Sequence, residues 1–224
     1  MNIRTRYVIP LPGNRELVLG ERTLVMGVLN VTPDSFSDGG MHYDTGRAVD
    51  AGLRMVDQGA DILDIGGEST RPGSEAVGED EELRRVLPVV ERLADRTGTL
   101  ISIDTYRSRT ASEAIDRGAS IINDISGFQY DPELAVVASE TGAAVVLMHT
   151  RGRSREMYER AVYSDVVSEV TRELDEAIAR AVNGGVSREA FPLYRCSQHG
   201  SATSFLCRAG ANSSLAIGRS SWGS

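Results

Sequence analysis

The chain has 224 residues, of which 41% are hydrophobic and 25% charged, with a formal net charge of −8 and a pI near 5.0. That is enough chain for one sizeable core, with the composition of a soluble globular domain. No apolar run approaches the roughly 18–20 residues of a membrane span, no signal-peptide pattern opens the chain, and the acidic balance argues against a non-specific nucleic-acid binder.

In chain order, YVIPLPGNRELVLG, with Pro-Gly-Asn at its turn, predicts a small hairpin. TLVMGVLN (23–30) predicts the first core strand. A repeated unit then follows, in which a helical segment ends in glycine and a short aliphatic run ends on polar residues. It recurs at Gly59-Ala60 into DILDIGG, Gly98-Thr99 into LISIDT, Gly118-Ala119 into SIINDI and Gly142-Ala143 into AVVLMHT. Glycine just past a helix supplies the left-handed conformation that ends it. Short, nearly continuous β-branched runs are expected of strands buried on both faces. Helical spacing links Val49, Leu53 and Val56, then Leu83, Val86, Leu87 and Val90, and later Val166, Val170, Leu174 and Ile178. Glu79 to Glu82 place acid at the start of the second of these helices, where the dipole favours it.

Strands alternating with helices imply parallel βαβ units, in either a doubly wound sheet or a (β/α)₈ barrel. The polar residues favour the barrel. Asn30, the Gly66 to Arg71 segment, Asp104-Thr105, Asn123-Asp124 and His149-Thr150 each stand at the C-terminal end of a strand, where a barrel assembles its site. Asn183-Gly184-Gly185-Val186 is a further helix-to-strand turn, but no sixth aliphatic strand follows it. Five strands are short of eight, so the barrel is expected to be incomplete.

The composition changes near residue 190. All 32 acidic residues lie at or before Glu189, and all 24 basic residues are arginine. At the average acidic frequency, an acid-free run as long as 190–224 has a chance of roughly half a percent at a given place. Cys196 and Cys207, both in this stretch, make no disulfide framework and suit a reducing compartment. Residues 1–189 are therefore expected to form the barrel portion. Residues 190–224 are expected to be an unrelated tail, frame-shifted or disordered, and the expected location is the cytoplasm.

The strand ends carry the chemistry. Asn30 precedes a loop with Asp34, Ser35, Ser37 and Asp38, hard oxygen donors that suit Mg²⁺ with substrate phosphates or, alternatively, a solvated turn. Thr70 and Arg71 follow a Gly-Gly turn; Arg71 is suited to a phosphate or carboxylate, or to a salt bridge with Glu68 or Asp64. Asp104, Asn123 and Asp124 can read the edge of a heterocycle, or cap the helices that follow. His149 is a catalyst or, more commonly for a lone histidine, a structural hydrogen-bonder. Met148 packs on the core or on an aromatic ligand.

Together, GVLNVTPDSFSDGG, DILDIGGESTRPG, SIDTYR, INDISG and VLMHTRG, in this order, resemble dihydropteroate synthase over residues 22–189. The resemblance implies a (β/α)₈ TIM barrel of the pterin-binding type. It also implies a folate-pathway transferase that joins 4-aminobenzoate to 6-hydroxymethyl-7,8-dihydropterin diphosphate and releases pyrophosphate. Asn30 matches the Mg²⁺-linked position; Thr70, Asp104 and Asn123 match pterin diphosphate contacts, and Met148 a wall of the pterin pocket. Asp34 and Asp38 match a catalytic loop, and Arg71 a residue of a second loop. The family's later Asp-Pro-Gly turn, Ser-Arg-Lys segment and final Arg-x-His do not occur here, and the chain contains no lysine to supply two of those positions. A pterin-binding remnant without catalysis and a pterin-binding methyltransferase domain are the alternatives. The family resemblance also implies a homodimer.

Overall fold

A computed structural model describes residues 6–32, 45–68, 77–151 and 162–186, together with the backbone of 204–208. Strands β1 (Tyr7–Leu11) and β2 (Arg15–Leu19) form the antiparallel hairpin, in register from Tyr7 opposite Leu19 to Leu11 opposite Arg15. Its turn places Gly13 and Asn14 at φ 70° and 59°, a conformation that these two residue types tolerate.

The main sheet then runs β3 (Met26–Asn30), β4 (Ile62–Gly66), β5 (Leu100–Asp104), β6 (Ile121–Asp124) and β7 (Ala144–Met148), all parallel and in sequence order. The intervening helices are α1 (Thr45–Asp57), α2 (Glu79–Arg96), α3 (Ser108–Asp116) and α4 (Glu133–Thr141), and α5 (Val166–Asn183) follows β7. This is an arc of the (β/α)₈ barrel. Leu29, Leu63, Ile65, Ile101, Ile103 and Ile122 face the helices and share one core with Val49, Val86, Val90 and Leu93. A second core fills the inner face. There Ile9, Leu11, Leu17 and Leu19 of the hairpin meet Ile62, Ile121, Ala144 and Val146. The hairpin thereby closes the N-terminal end of the arc and leaves the C-terminal end for a site.

That packing sets a first prediction. Ile9 is fully buried, so Ile9→Ala is expected to cost roughly 2–5 kcal/mol. A lower urea midpoint at unchanged slope would show it, whereas an unchanged midpoint would mean that the hairpin contributes little.

Two sequence expectations need adjustment, and a cap fixes the start of one helix. Gly59, Gly118 and Gly142 adopt positive φ, but Gly98 does not; α2 ends instead with Thr97 in an extended conformation. The helix after β7 starts at Val166 with Asp165 as its N-cap, its carboxylate accepting from the Ser168 amide at 3.2 Å. Finally, the stretch after residue 190 does hold a strand. Segment β8 (Ser204–Arg208) pairs antiparallel with β7, from Ala144 opposite Arg208 to Met148 opposite Ser204. An open strand edge is a row of free N–H and C=O groups, which any extended segment within reach can satisfy whatever its direction. At the other side of the arc β3 pairs only with β4, and Val28 on its inner face is 54% exposed.

Candidate active site

In a strand, alternate residues share a face, and the pairings stack the inner face into layers. The lowest holds Met26, Ile62 and Leu100; the next Val28, Asp64, Ser102, Ile121 and Ala144; the third Asn30, Gly66, Asp104, Asn123 and Val146. Apolar groups thus give way to polar ones toward the C-terminal mouth. Three predicted site residues, Asn30, Asp104 and Asn123, stand in the third layer, and Met148 lies two residues beyond Val146 on the same face. Asp34, Asp38, Thr70 and Arg71 lie outside the described residues.

Gly66 separates Asn30 from Asp104 in this layer, and a Cβ there would come within 3.3 Å of the Asp104 carboxylate. Its lack of a side chain lets the Asp104 side chain lie over the end of β4. Gly67 serves a different purpose: a Cβ would meet Val86 at 2.9 Å, so glycine lets α2 pack against the end of β4. Arg85 then donates to the Gly67 carbonyl at 2.8 Å.

Asp64 is a site residue that the sequence reading weighed only as a partner for Arg71. It is 3% exposed and accepts from Asn123 Nδ2 at 2.9 Å, which ties the second layer to the third and orients the amide. Its Oδ1 and the neighbouring Ser102 Oγ are buried without a well-aligned partner among the described residues. Burial pushes the Asp64 carboxyl up, against the opposing pull of the Ser102 hydroxyl and the Asn123 amide. Asp104 is pushed well above the usual carboxylate range by burial and then by the negative charges of Asp64, Glu82, Asp124 and Glu68. Asp64, with one oxygen unpartnered among the described residues, and Asp104 stand beside the Asn123 amide, an oxygen-rich floor suited to a flat ligand that presents several N–H donors. The available signal was a carboxylate inside the otherwise aliphatic run DILDIGG, at even spacing from Gly66.

Asp124 does not join this site. It lies one residue out of phase with Asn123, points toward the helices, and is fully buried. Its carboxylate accepts from the Ser126 amide at 2.7 Å and the Phe128 amide at 2.6 Å. These bonds hold the turn after β6, including Phe128 at φ 61°. His149 turns to α5, where its Nε2 lies 2.6 Å from Glu173. Arg151, 4.1 Å above the Tyr163 ring, binds Glu173 and Glu169 as well. The Arg151 guanidinium first, and the His149 contact after it, hold the Glu173 carboxyl below its ordinary value against the opposing effect of burial.

The inner face turns polar at the C-terminal mouth of a parallel βα arc, the end at which barrels of this kind carry their sites, and comparison with known proteins gives the class. The chain belongs to the pterin binding enzyme family, whose description matches residues 26–192. Among its relatives are dihydropteroate synthases. The Bacillus subtilis enzyme is 49% identical over 169 residues, covering 75% of this chain and 57% of the relative. The Escherichia coli enzyme is 48% identical, covering 75% and 60%. The solved structure of Xanthomonas albilineans dihydropteroate synthase with 4-aminobenzoic acid superposes with a TM-score of 0.71 at 44% identity, covering 80% of this chain and 64% of that one. The Yersinia pestis enzyme in complex with a sulfonamide drug gives 0.72 at 42%, covering 81% and 65%. The chain therefore spans about 57–65% of the length of these relatives.

Proposed function

We propose that this chain acts as a dihydropteroate synthase, condensing 4-aminobenzoate with 6-hydroxymethyl-7,8-dihydropterin diphosphate to give 7,8-dihydropteroate and pyrophosphate. The observation that carries this reading is the in-register layer of Asn30, Gly66, Asp104 and Asn123 above a buried Asp64. The pterin's ring N–H and amino groups are donors, and the Asp64 and Asp104 carboxyls are the acceptors that need them. Asn123, held by Asp64, reads the same edge, and Met148 covers the ring face.

The diphosphate would then project toward the rim of the layer. Thr70 and Arg71 are assigned to it and to the second loop by resemblance, as Asp34 and Asp38 are to the first. The Asn30 amide oxygen is a hard, neutral donor. It fits Mg²⁺, which takes few protein ligands and completes its shell with phosphate oxygens and water. When bound, the ion would neutralise charge on the leaving diphosphate.

In the reaction the amine nitrogen bonds to the exocyclic methylene carbon as the carbon–oxygen bond breaks. The bonding pair leaves with pyrophosphate, and the amine's surplus proton passes to solvent. A neutral aromatic amine is nucleophilic enough for this step, so the chain's residues bind, orient and stabilise charge rather than act as a strong base.

The expected result is pyrophosphate release that requires both substrates and falls by at least about 100-fold in Asn30→Ala. Release independent of 4-aminobenzoate would overturn the assignment. One further reading is a pterin binder without catalysis, which the lack of an Asp-Pro-Gly turn, a Ser-Arg-Lys segment and an Arg-x-His in this sequence favours. That reading expects the pterin to raise the melting temperature by mass action while no pyrophosphate appears.

Residues 1–189 are read as the barrel portion and 190–224 as a stretch from a different reading frame, which the 26–192 match and the absence of acidic residues after Glu189 support. Resequencing the gene tests this: family motifs in another frame are expected, and their absence in all frames overturns it. Cytoplasmic location and a homodimer complete the proposal. Among the described residues no helix is long and apolar enough to cross a membrane.

A further inference from the structure

The buried bond between Asp64 and Asn123 decides which end of the Asn123 amide a ligand meets. Asn123 Nδ2 donates to Asp64 Oδ2 at 2.9 Å. Asp64 is 3% exposed and lies one layer below Asn123, in the row of Val28, Ser102, Ile121 and Ala144. Among the described residues Asp64 Oδ1 has no well-aligned partner, which makes the bond to Asn123 the main one of this carboxyl. The oxygen and nitrogen ends of a primary amide are nearly the same size, so the hydrogen-bond partner sets its orientation. An ionised carboxylate only accepts, which assigns the nitrogen to Asp64 and leaves the carbonyl oxygen as the end toward the mouth. The reversed amide would set two acceptors against each other where water does not separate them, a costly arrangement in a buried site.

We propose that Asp64 is a positioning residue that sets specificity: by presenting the Asn123 carbonyl, it makes the mouth select an amino group over a carbonyl at the ligand's edge. An N–H of the ligand completes the Asn123 oxygen. A ligand carbonyl would oppose that oxygen and leave both acceptors unpaired, a mismatch that discriminates strongly once water is excluded. The identity of the ring rests on the proposed function; the hold of Asp64 on the amide does not.

Two rings that differ at one edge group read the selection. Binding of 6-hydroxymethylpterin and of 6-hydroxymethyllumazine, in which a carbonyl replaces the pterin's 2-amino group, is measured by calorimetry on the full chain. The parent is expected to prefer the pterin by at least about 100-fold. Asp64→Asn offers the amide a donor as well as an acceptor, so both orientations of Asn123 become available. The preference should then fall at least about tenfold, with the lumazine bound no more weakly than by the parent. Weakening of both rings alike, with the ratio unchanged, overturns the proposal, because Asp64 would then support only the fold. In an Asn123→Leu background, Asp64→Asn should change the ratio by less than it does in the parent, since the two residues share one contact. A change of equal size overturns the proposal as well, because Asp64 would then act without Asn123.

Exchange of the Asn123 side-chain amide gives a reading without any ligand. Its Nδ2 protons, assigned in the nuclear magnetic resonance spectrum by their loss in Asn123→Leu, should exchange at least about tenfold more slowly in the parent than in Asp64→Leu. Equal rates overturn the proposal. Should Asp64→Leu fail to fold, Asp64→Ser, too short to reach the amide, carries the same comparison. Slow exchange without binding of either ring sinks the pterin reading alone; a pterin preference with fast exchange in the parent sinks the positioning role alone.

Discussion

Replacing Asp104 by asparagine is expected to stabilise the ligand-free chain at neutral pH and to abolish its stabilisation by a pterin. The Asp104 carboxyl is raised by burial and by the charges of Asp64, Glu82, Asp124 and Glu68. A carboxyl raised in the folded state keeps a proton that the unfolded chain has already released. The folded state therefore binds more protons between the unfolded and folded pKa values, and stability falls as pH rises through that window. The contribution is fully present below the unfolded value of about 3.9 and is lost as pH passes the raised one. Asparagine has no proton to lose, so the slope flattens, with part remaining because Asp64 is raised too. The gain at pH 7 should be roughly 0.5–2 kcal/mol, in the manner of stabilising changes made at binding sites. Melts across this pH range, with and without 6-hydroxymethylpterin, check both halves. A variant less stable than the parent at every pH would mean that the negative charge is already compensated in the ligand-free chain.

Asp124→Ala should act in the opposite direction and through a different mechanism. The carboxylate accepts two backbone amides, at 2.7 Å and 2.6 Å, in a turn buried between β6 and α4. Alanine would leave both donors unpaired at roughly 1–3 kcal/mol each, giving a loss of about 2–5 kcal/mol. That is a large part of the 5–15 kcal/mol by which a typical domain is stable. It would also release Phe128, fully buried at φ 61°, from the conformation that the turn imposes. Asp124→Asn keeps an acceptor and should lose about half as much. Chemical denaturation gives the energy, and hydrogen exchange at Ser126 and Phe128 gives the location. Equal protection of both amides in the parent and the alanine variant would sink the account. Because Asn123 is the adjacent residue, the alanine variant should also weaken pterin-induced stabilisation.

These two aspartates show how far the linear chain can be read. Both end short aliphatic runs, and both were visible as polar residues at strand ends. Only the sheet separates them: Asp104 is in phase with Gly66 and Asn123 and faces the mouth, while Asp124 is out of phase and serves the backbone. In a strand buried on both faces the apolar run is continuous, so the period of two that would mark the faces is erased. Asp64 was overlooked for the same reason. It lies in the middle of such a run, and its value comes from Asn123, 59 residues later.

The sequence by itself determined the order of strands and helices, the hairpin in front of them, the polar C-terminal ends and the change of composition near residue 190. Those features rest on local signals: glycine after helices, β-branched runs and the spacing of apolar positions. Tertiary structure decided what depends on distant groups meeting. It set the layers on the inner face, the hairpin's place as the floor, and the antiparallel pairing of Ser204–Arg208 on the β7 edge. It also joined Arg107 to Glu68 across 39 residues and to Glu82 across 25. Charges so far apart in the chain carry no mutual pattern in sequence, because their attraction becomes strong only when folding brings them within a few ångströms and removes the water between them.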